Sequence, residues 1–453
     1  MAKLEDIETI VIVMMENRSF DHVVGHLRMP PYGNRADVNG LVTPADNPLY
    51  ANHHEGFAYL PFEMKDDKFV HDLPHGRGSV KTQLAKNGGN TFDMSGFVQA
   101  YVEFSKGARV PNPAPMGFLA PGCVPVSNFF ARQFMVCDHW YAPLPTDTQP
   151  NRSVAFSGYS LIEDTKARFI PVPPGSFVFQ WLNEHNVRWR VYHSGLSFFL
   201  LFERFDEVLG DNFRSLADLP KDLALDPLDK VPQVIFIEPE YGDSPVHWNS
   251  APNDNHPPTP MGPGEHFLRE IYTALTKNPE KWQKTLLIVT HDEHGGFYDH
   301  VSPRALATPL PPNATFTEAF ESTGPRVPAF IVSPWVPAGV AFNGPMDHTS
   351  ILQLLAEKFA GNPDYNDEVK RRRVDGGIQS VSRALEAGGL SKARTAIPTA
   401  PPDTISNIVL GPTSIAPETD SQKAFAFAAH ALLRADRKRA ITKFPELVHL
   451  PDE

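Results

Sequence analysis

Cysteine is almost missing from this chain. Cys123 and Cys137 are the only two in 453 residues, too few for a disulfide framework. Both sit in apolar surroundings, GCVPV and FMVCD, and read as buried free thiols. Positive charge is scarce as well: 41 Lys and Arg against 53 Asp and Glu leave a formal charge of −12. That excludes broad, salt-driven nucleic-acid binding, though not a local basic pocket for an anion. No apolar run approaches the ~20 residues needed to span a bilayer. The opening MAKLEDIETI has no basic start leading into an apolar stretch, so no signal peptide is expected. A cytoplasmic location is the default, with secretion or the periplasm the alternative if a leader has been removed. Glycine, at 30, is outnumbered by 45 prolines, which points to long ordered loops over a regular scaffold.

What is present is a large apolar inventory, 41% of residues, enough for a sizeable core. Six short apolar runs read as buried strands of the kind found in a parallel sheet covered on both faces. They are TIVIVMM (9–15), RQFMVCD (132–138), VRWRVYH (187–193), VPQVIFIE (231–238), TLLIVTH (285–291) and VPAFIVS (327–333). Between them SFVFQWLNEHN, EHFLREIYTALTKN and HTSILQLLAEKFAG carry helical spacing. The alternation predicts an α/β fold, a three-layer α/β/α sandwich around a mostly parallel sheet. The expected organisation is a catalytic domain over 1–365 with long inserts at 29–90 and 239–264. A helical and irregular extension over 366–453 packs on it. In that extension the run KRRR reads as a solvated helix face, 396–418 as a surface excursion, and AFAFAAHALLRADRKRAITKF as a terminal helix.

The strand ends are unusual. The first run delivers Glu16-Asn17, the third His193, the fourth Glu238, and the fifth His291-Asp292-Glu293-His294. Ligands of open α/β sheets bind beyond the carboxyl ends of the strands, so one shared sheet would gather these groups at one edge. Carboxylates with an amide form a hard-oxygen set suited to a divalent metal; alone, Asp292-Glu293 reads equally well as a turn. Thr148, in LPTDTQPNRSVAFSG, sits at the start of a helix whose first turn holds Pro150. By itself it is best read as an N-cap. The functional alternative places its hydroxyl where helix N–H groups favour an anion, ready to attack phosphorus. Asp/His pairs recur in the two long inserts, His71-Asp72 with His75 nearby and Asp254 with His256.

Together, MMENRSFDHVVG, HDLPH, TQPNR, NHPP, HDEHGGFYDHV, GPRVPAFIVSPW and MDHTSILQ resemble the bacterial phospholipase C and acid phosphatase family of phosphoesterases, which includes the plant non-specific phospholipases C. The resemblance implies an alkaline-phosphatase-like fold and a metal-dependent phosphoesterase working through a phosphothreonine intermediate. It implies one divalent metal (calcium, zinc or manganese) held by Glu16, Asn17, Thr148, Asp292 and Glu293, with Thr148 also the nucleophile. His71 and His256 take phosphate-binding and catalytic roles, supported by Asp72 and Asp254, and His193 is carried over as a substrate contact. His300 and His348 brace the strand ends, and Arg18 pairs with a carboxylate such as Asp21. Phospholipase C action on lipid head groups, at a membrane surface, is the leading expectation, with a broad acid phosphatase as the alternative. A non-catalytic phosphate-binding protein is disfavoured by the intact site residues. SGLSFFLLFERF (194–205) is either a lipid-facing rim or, favoured slightly, core.

Overall fold

Thr9–Met15 is buried at every position, although alternate side chains face opposite sides. A strand with two dry faces needs cover on both. In the computed structural model this strand (β1) lies inside an eight-stranded sheet. The structure describes residues 4–43, 47–65, 71–86, 91–105, 112–225, 230–247, 252–386, 394–399, 413–414 and 418–451. The other strands are β2 (Met135–Cys137), β3 (Trp189–His193), β4 (Phe213–Ser215), β5 (Val234–Glu238), β6 (Thr285–His291), β7 (Ala329–Val332) and β8 (Val340–Phe342). Their order is β8-β2-β7-β6-β1-β5-β3-β4. Neighbours run parallel except around β7, which is antiparallel to β6 and to β2. All six apolar runs enter this sheet. β4 and β8 went unseen because FRS and VAF are too short to carry a pattern.

Five helices frame the sheet and its site: α1 (Pro125–Gln133), α2 (Thr148–Ser157), α3 (Met261–Thr276), α4 (Thr349–Ala360) and α5 (Asp420–Lys443). α1 packs with α3 and α2 with α4, and the sheet between the helical layers completes the α/β/α sandwich. The first pair is locked by Glu265, fully buried on α3. Its carboxylate accepts from the N–H groups of Val126 (2.5 Å) and Ser127 (3.0 Å) and from the Ser127 hydroxyl (2.5 Å). A carboxylate there satisfies the open donors of the α1 terminus and complements its dipole.

The C-terminal part packs on the same sheet system. α5 begins with a Thr419–Gln422 capping box and buries Phe425, Ala428, Ala429 and Leu432 against the turn Phe198–Phe202. That turn is FFLLF. All five side chains are buried, so the run is core and presents no rim to lipid. KRRR lies on the helix Asp367–Gly376, yet it is not simply a solvated face. Arg372 is fully buried, pairing with Asp347 (2.8 Å) and Glu368 (3.0 Å). Most of 396–418 falls outside the described residues.

The parallel registers set the site. Met15 lies opposite His291, and Glu238 opposite His193. The residues after β1 and β6 therefore emerge side by side at one edge of the sheet.

Candidate active site

β1 hands directly to Asn17, whose backbone is left-handed, φ 57°. This sharp turn aims the Asn17 N–H at Asp292 Oδ1 (3.1 Å), while the Arg18 N–H donates to the Glu293 carbonyl (3.0 Å). The two strand tips are thus stitched by backbone. Gly295 makes the approach feasible: at φ +62° an added Cβ would stand 2.1 Å from the Asn17 carbonyl oxygen, which no side chain tolerates. Arg18 does not pair with Asp21. Its guanidinium donates to the carbonyls of Asn255 (2.8 Å) and Thr259 (3.0 Å), pinning the 254–259 loop beside the tips. Asp21 instead takes Arg326 (3.1 Å) and His300 (2.6 Å). His348 braces β6 by a 2.6 Å bond to the Asp292 carbonyl and accepts from the Trp140 indole (3.1 Å).

α2 enters from the other side. Its N-cap is Asp147, which makes no side-chain cap bond. Thr148 is the first helical residue, so its hydroxyl is not spent on capping. It points to Asn17 Oδ1 at 3.5 Å, a contact at the outer limit of a hydrogen bond. Four residues on, and so on the same face of the helix, comes Arg152. This residue was overlooked in the sequence, although it closes the TQPNR motif. It is buried and bridges the tips, 3.0 Å from Glu16 and 2.9 Å from Asp292. Its guanidinium also donates to the Tyr241 hydroxyl (3.1 Å) and stacks over Phe198 at 4.6 Å. The available signal was the spacing from Thr148 together with an arginine amid an otherwise buried helix.

The electrostatics come from packing three carboxylates with one arginine. Burial pushes Glu16 well above its usual range, with Arg152 opposing, and raises Asp292 in the same way. Glu293 goes down instead, because His75 and His294 outweigh its burial. Burial also opposes charge on the two imidazoles facing Thr148, but nearby carboxylates prevail. Asp72 and Glu293 lift His75 to about 9; Asp72, Asp243 and Glu16 lift His256 to about 10. His75 Nε2 meets the Asn17 amide at 3.2 Å, and its Nδ1 donates to the Leu73 carbonyl (2.6 Å). His256 Nδ1 donates to the Pro257 carbonyl (2.6 Å), leaving Nε2 directed toward Asp72 at 4.0 Å. Asp254 holds this loop, accepting from the His256 N–H (3.0 Å) and the Gly242 N–H (2.5 Å).

Two expected residues stand elsewhere. His71 is exposed; the imidazole its segment delivers is His75, which lines the cleft with Thr148. His193 is buried at the tip of β3, bonded to the Gly195 carbonyl (2.8 Å) and packed on Phe444 at 4.8 Å. Burial lowers it to about 4. It faces a separate cavity of about 930 Å³, lined also by Leu219, Ile271, Lys277 and Glu446, which contains none of the groups around Thr148. Glu16, Asn17, Asp72, Thr148, Asp254, His256, Asp292 and Glu293 are brought together.

The cluster suits a cation. Glu293 Oε1 is buried and has no hydrogen-bond partner among the described residues. Asn17 Oδ1 and Thr148 Oγ1, oxygens that could also serve a cation, meet at 3.5 Å. Arg152 already neutralises one oxygen each of Glu16 and Asp292, so a cation bound there would share the tips with an arginine. Asp72, His75 and His256 also offer ligand atoms within 4.8 Å of one another, as do Asp21, Asp299 and His300. In that second group Arg326 supplies a fixed counter-charge.

A helix-start hydroxyl beside buried carboxylates and two imidazoles, at the strand ends of an α/β/α sandwich, is an arrangement suited to the hydrolysis of anionic esters. The chain belongs to the Phosphoesterase family, whose sequence profile matches residues 7–360, and is a hydrolase acting on phosphoric ester bonds. Non-specific phospholipase C1 of Arabidopsis thaliana is 32% identical over 374 residues, covering 78% of this chain and 67% of the plant protein. Phospholipase C A of Mycobacterium tuberculosis is 29% identical over 466 residues, covering 90% and 84%. Among solved structures, a protein in the alkaline phosphatase superfamily from Vibrio parahaemolyticus superposes on 55% of this chain and 64% of its own, with TM-score 0.31 and 12% identity.

Proposed function

We propose that this protein is a phospholipase C, cleaving the phosphodiester of a phospholipid head group with Thr148 as nucleophile. The observation that carries the reading is the Thr148 hydroxyl, free of capping, set against the Asn17 amide and lining one cleft with the imidazoles of His75 and His256. In the first step Thr148 Oγ1 bonds to phosphorus, its proton passing to a neighbouring carboxylate. The ester bond opposite breaks as His256 Nε2 gives its proton to the departing alcohol. His75 and the Asn17 amide face the equatorial oxygens and stabilise the charge that spreads there. Water then attacks the phosphothreonine from the side the alcohol left, giving its proton to His256, while the bond from phosphorus to Thr148 Oγ1 breaks and the carboxylate returns the proton to Oγ1. Glu16, Asn17, Thr148, Asp292 and Glu293 would hold a divalent cation, which when bound would shield the phosphorus charge as a Lewis acid and lower the hydroxyl's pKa. Asp254 acts by holding the His256 loop.

The diester reading is favoured over a broad phosphomonoesterase because the plant and mycobacterial relatives are phospholipases C. No helix among the described residues is long and apolar enough to cross a membrane; on this reading the lipid is met at a membrane surface. The test compares phosphatidylcholine in mixed micelles with p-nitrophenyl phosphate. We expect the lipid to be turned over, Thr148→Val to lose roughly a thousandfold or more in kcat with its circular dichroism unchanged, and acid-quenched wild type to carry phosphate on Thr148. Full activity in Thr148→Val ends the nucleophile assignment.

A further inference from the structure

The cavity beyond the tips of β3 and β4, of about 930 Å³, is lined by none of the groups around Thr148. Its size falls within the range of small-molecule sites. Three polar side chains in its lining are buried: His193, Glu240 and Glu446. His193 donates from Nδ1 to the Gly195 carbonyl, which leaves Nε2 as an acceptor. That nitrogen is buried and has no hydrogen-bond partner among the described residues, and Glu446 Oε1 is in the same condition. Glu240 accepts from His247 Nδ1 at 3.0 Å, and its charge adds to the burial that lifts Glu446 to about 7. The cations of the lining are engaged elsewhere or lie at the rim. Lys443 Nζ donates to the carbonyls of Gly210 (2.9 Å) and Phe213 (2.7 Å), and Arg269 Nε to that of Pro398 (3.0 Å). Lys277 is exposed.

Buried acceptors without donors are costly, and two of them on one cavity call for a ligand that brings the donors the protein lacks. We infer that this cavity is a second binding site, for an apolar molecule bearing an ammonium and a hydroxyl. The ammonium lies toward Glu446 and Glu240, the hydroxyl donates to His193 Nε2, and the body packs on Leu219, Ile271 and Ala274. An anion would meet two acids and a lone pair. Glu446 suits a binding role better than a structural one, because its burial makes the folded state less stable at neutral pH and an ammonium beside it removes that penalty. The site does not depend on the phosphodiester reading, but it is close to the cleft. Glu240 and Asn253 line the cavity, while Gly242 and Pro252 line the cleft beside Thr148, so a ligand of one could be mistaken for a ligand of the other in a simple binding assay.

Isothermal titration calorimetry on the full chain compares three soluble probes of similar size. Phenylalaninol carries both groups, 3-phenylpropan-1-ol lacks the amine, and 3-phenylpropionate is an anion. Phenylalaninol is expected to bind about tenfold more tightly than the alcohol, the size of a charge-assisted contact, and the anion not at all. Glu446→Gln is expected to weaken phenylalaninol about tenfold and the alcohol less than twofold. Ala274→Trp, which fills the cavity from α3, is expected to abolish binding of both and to leave phosphoester turnover unchanged. Phenylalaninol that binds no better than the anion overturns the assignment, and so does Glu446→Gln with wild-type affinity. An affinity unchanged in Ala274→Trp overturns it too, since the amine would then sit in the cleft beside Thr148. If Ala274→Trp does not fold, Glu446→Gln decides, because relief of the buried carboxyl makes that variant more stable than wild type.

Discussion

Arg152 is the residue on which the site's integrity turns, and replacing it by Gln gives a quantitative test. The guanidinium is 1% exposed and its partners Glu16 and Asp292 are 3% and 0% exposed, at 3.0 and 2.9 Å. Removing one partner of a buried pair costs about 3–5 kcal/mol, because the charge left behind has neither water nor counter-ion. Here one cation serves two carboxylates, which places the loss toward the upper end. Unfolding entropy near 2.1 cal/mol/K per residue amounts to about 1 kcal/mol/K over 453 residues, so Tm is expected to fall by about 4–5 °C. The measurement is differential scanning calorimetry in chelator, which keeps stray divalent ions from standing in for the arginine. Adding Glu16→Gln to Arg152→Gln removes one of the stranded charges and is expected to recover at least ~1 kcal/mol, a coupling that independent sites do not show. A divalent ion restored to the buffer should raise the Tm of Arg152→Gln more than that of wild type. A variant melting within about 1 °C of wild type in chelator, or strictly additive substitutions, would refute the view that Arg152 balances the strand tips.

The histidine exchange is checked by paired substitutions. His75→Gln is expected to lose roughly a hundredfold in kcat, within the range of general acid–base and charge-stabilising groups, whereas His71→Gln, on an exposed residue, should stay within twofold. Glu446 supplies a pH test away from the chemistry. Burial raises it to about 7 from an ordinary 4.5, so the folded state prefers the protonated form. Its contribution is fully present below pH 4.5 and is lost as pH rises to 7. Glu446→Gln should therefore add roughly 2–3 kcal/mol at about pH 8 and little at about pH 4, read from urea midpoints; an equal gain at both pH values would count against it.

Much of the scaffold was legible because buried parallel strands write themselves as unbroken apolar runs. TIVIVMM and TLLIVTH needed no partner to be recognised, and the polar residues straight after them marked the edge where a site had to lie. The helices α3 and α4 were readable from their 3.6-residue spacing. Glu16, Asn17, Asp292 and Glu293 stood out as polar groups at strand ends, but alone the Asp-Glu pair read equally well as a turn and Thr148 as an N-cap; the resemblance to the phosphoesterase family is what singled them out. What the chain order could not reveal was direction and distance. VHDLPHG holds two histidines, and only the contact with Asn17 shows that it is His75 that enters the cleft. His193 ends a strand of the right sheet, yet its ring is covered by Phe444 from the far C-terminus. FFLLF is apolar whether it meets lipid or core; α5, far later in the chain, makes it core. Arg152 has the same physical explanation. A buried guanidinium is worth having only between two carboxylates, and those arrive on β1 and β6, which are distant in sequence. Composition and local pattern thus determined the sheet, the helices and the chemical vocabulary of the site. Pairing across long sequence separation alone decided which imidazole and which arginine surround Thr148, because electrostatic and packing energies depend on distances in space.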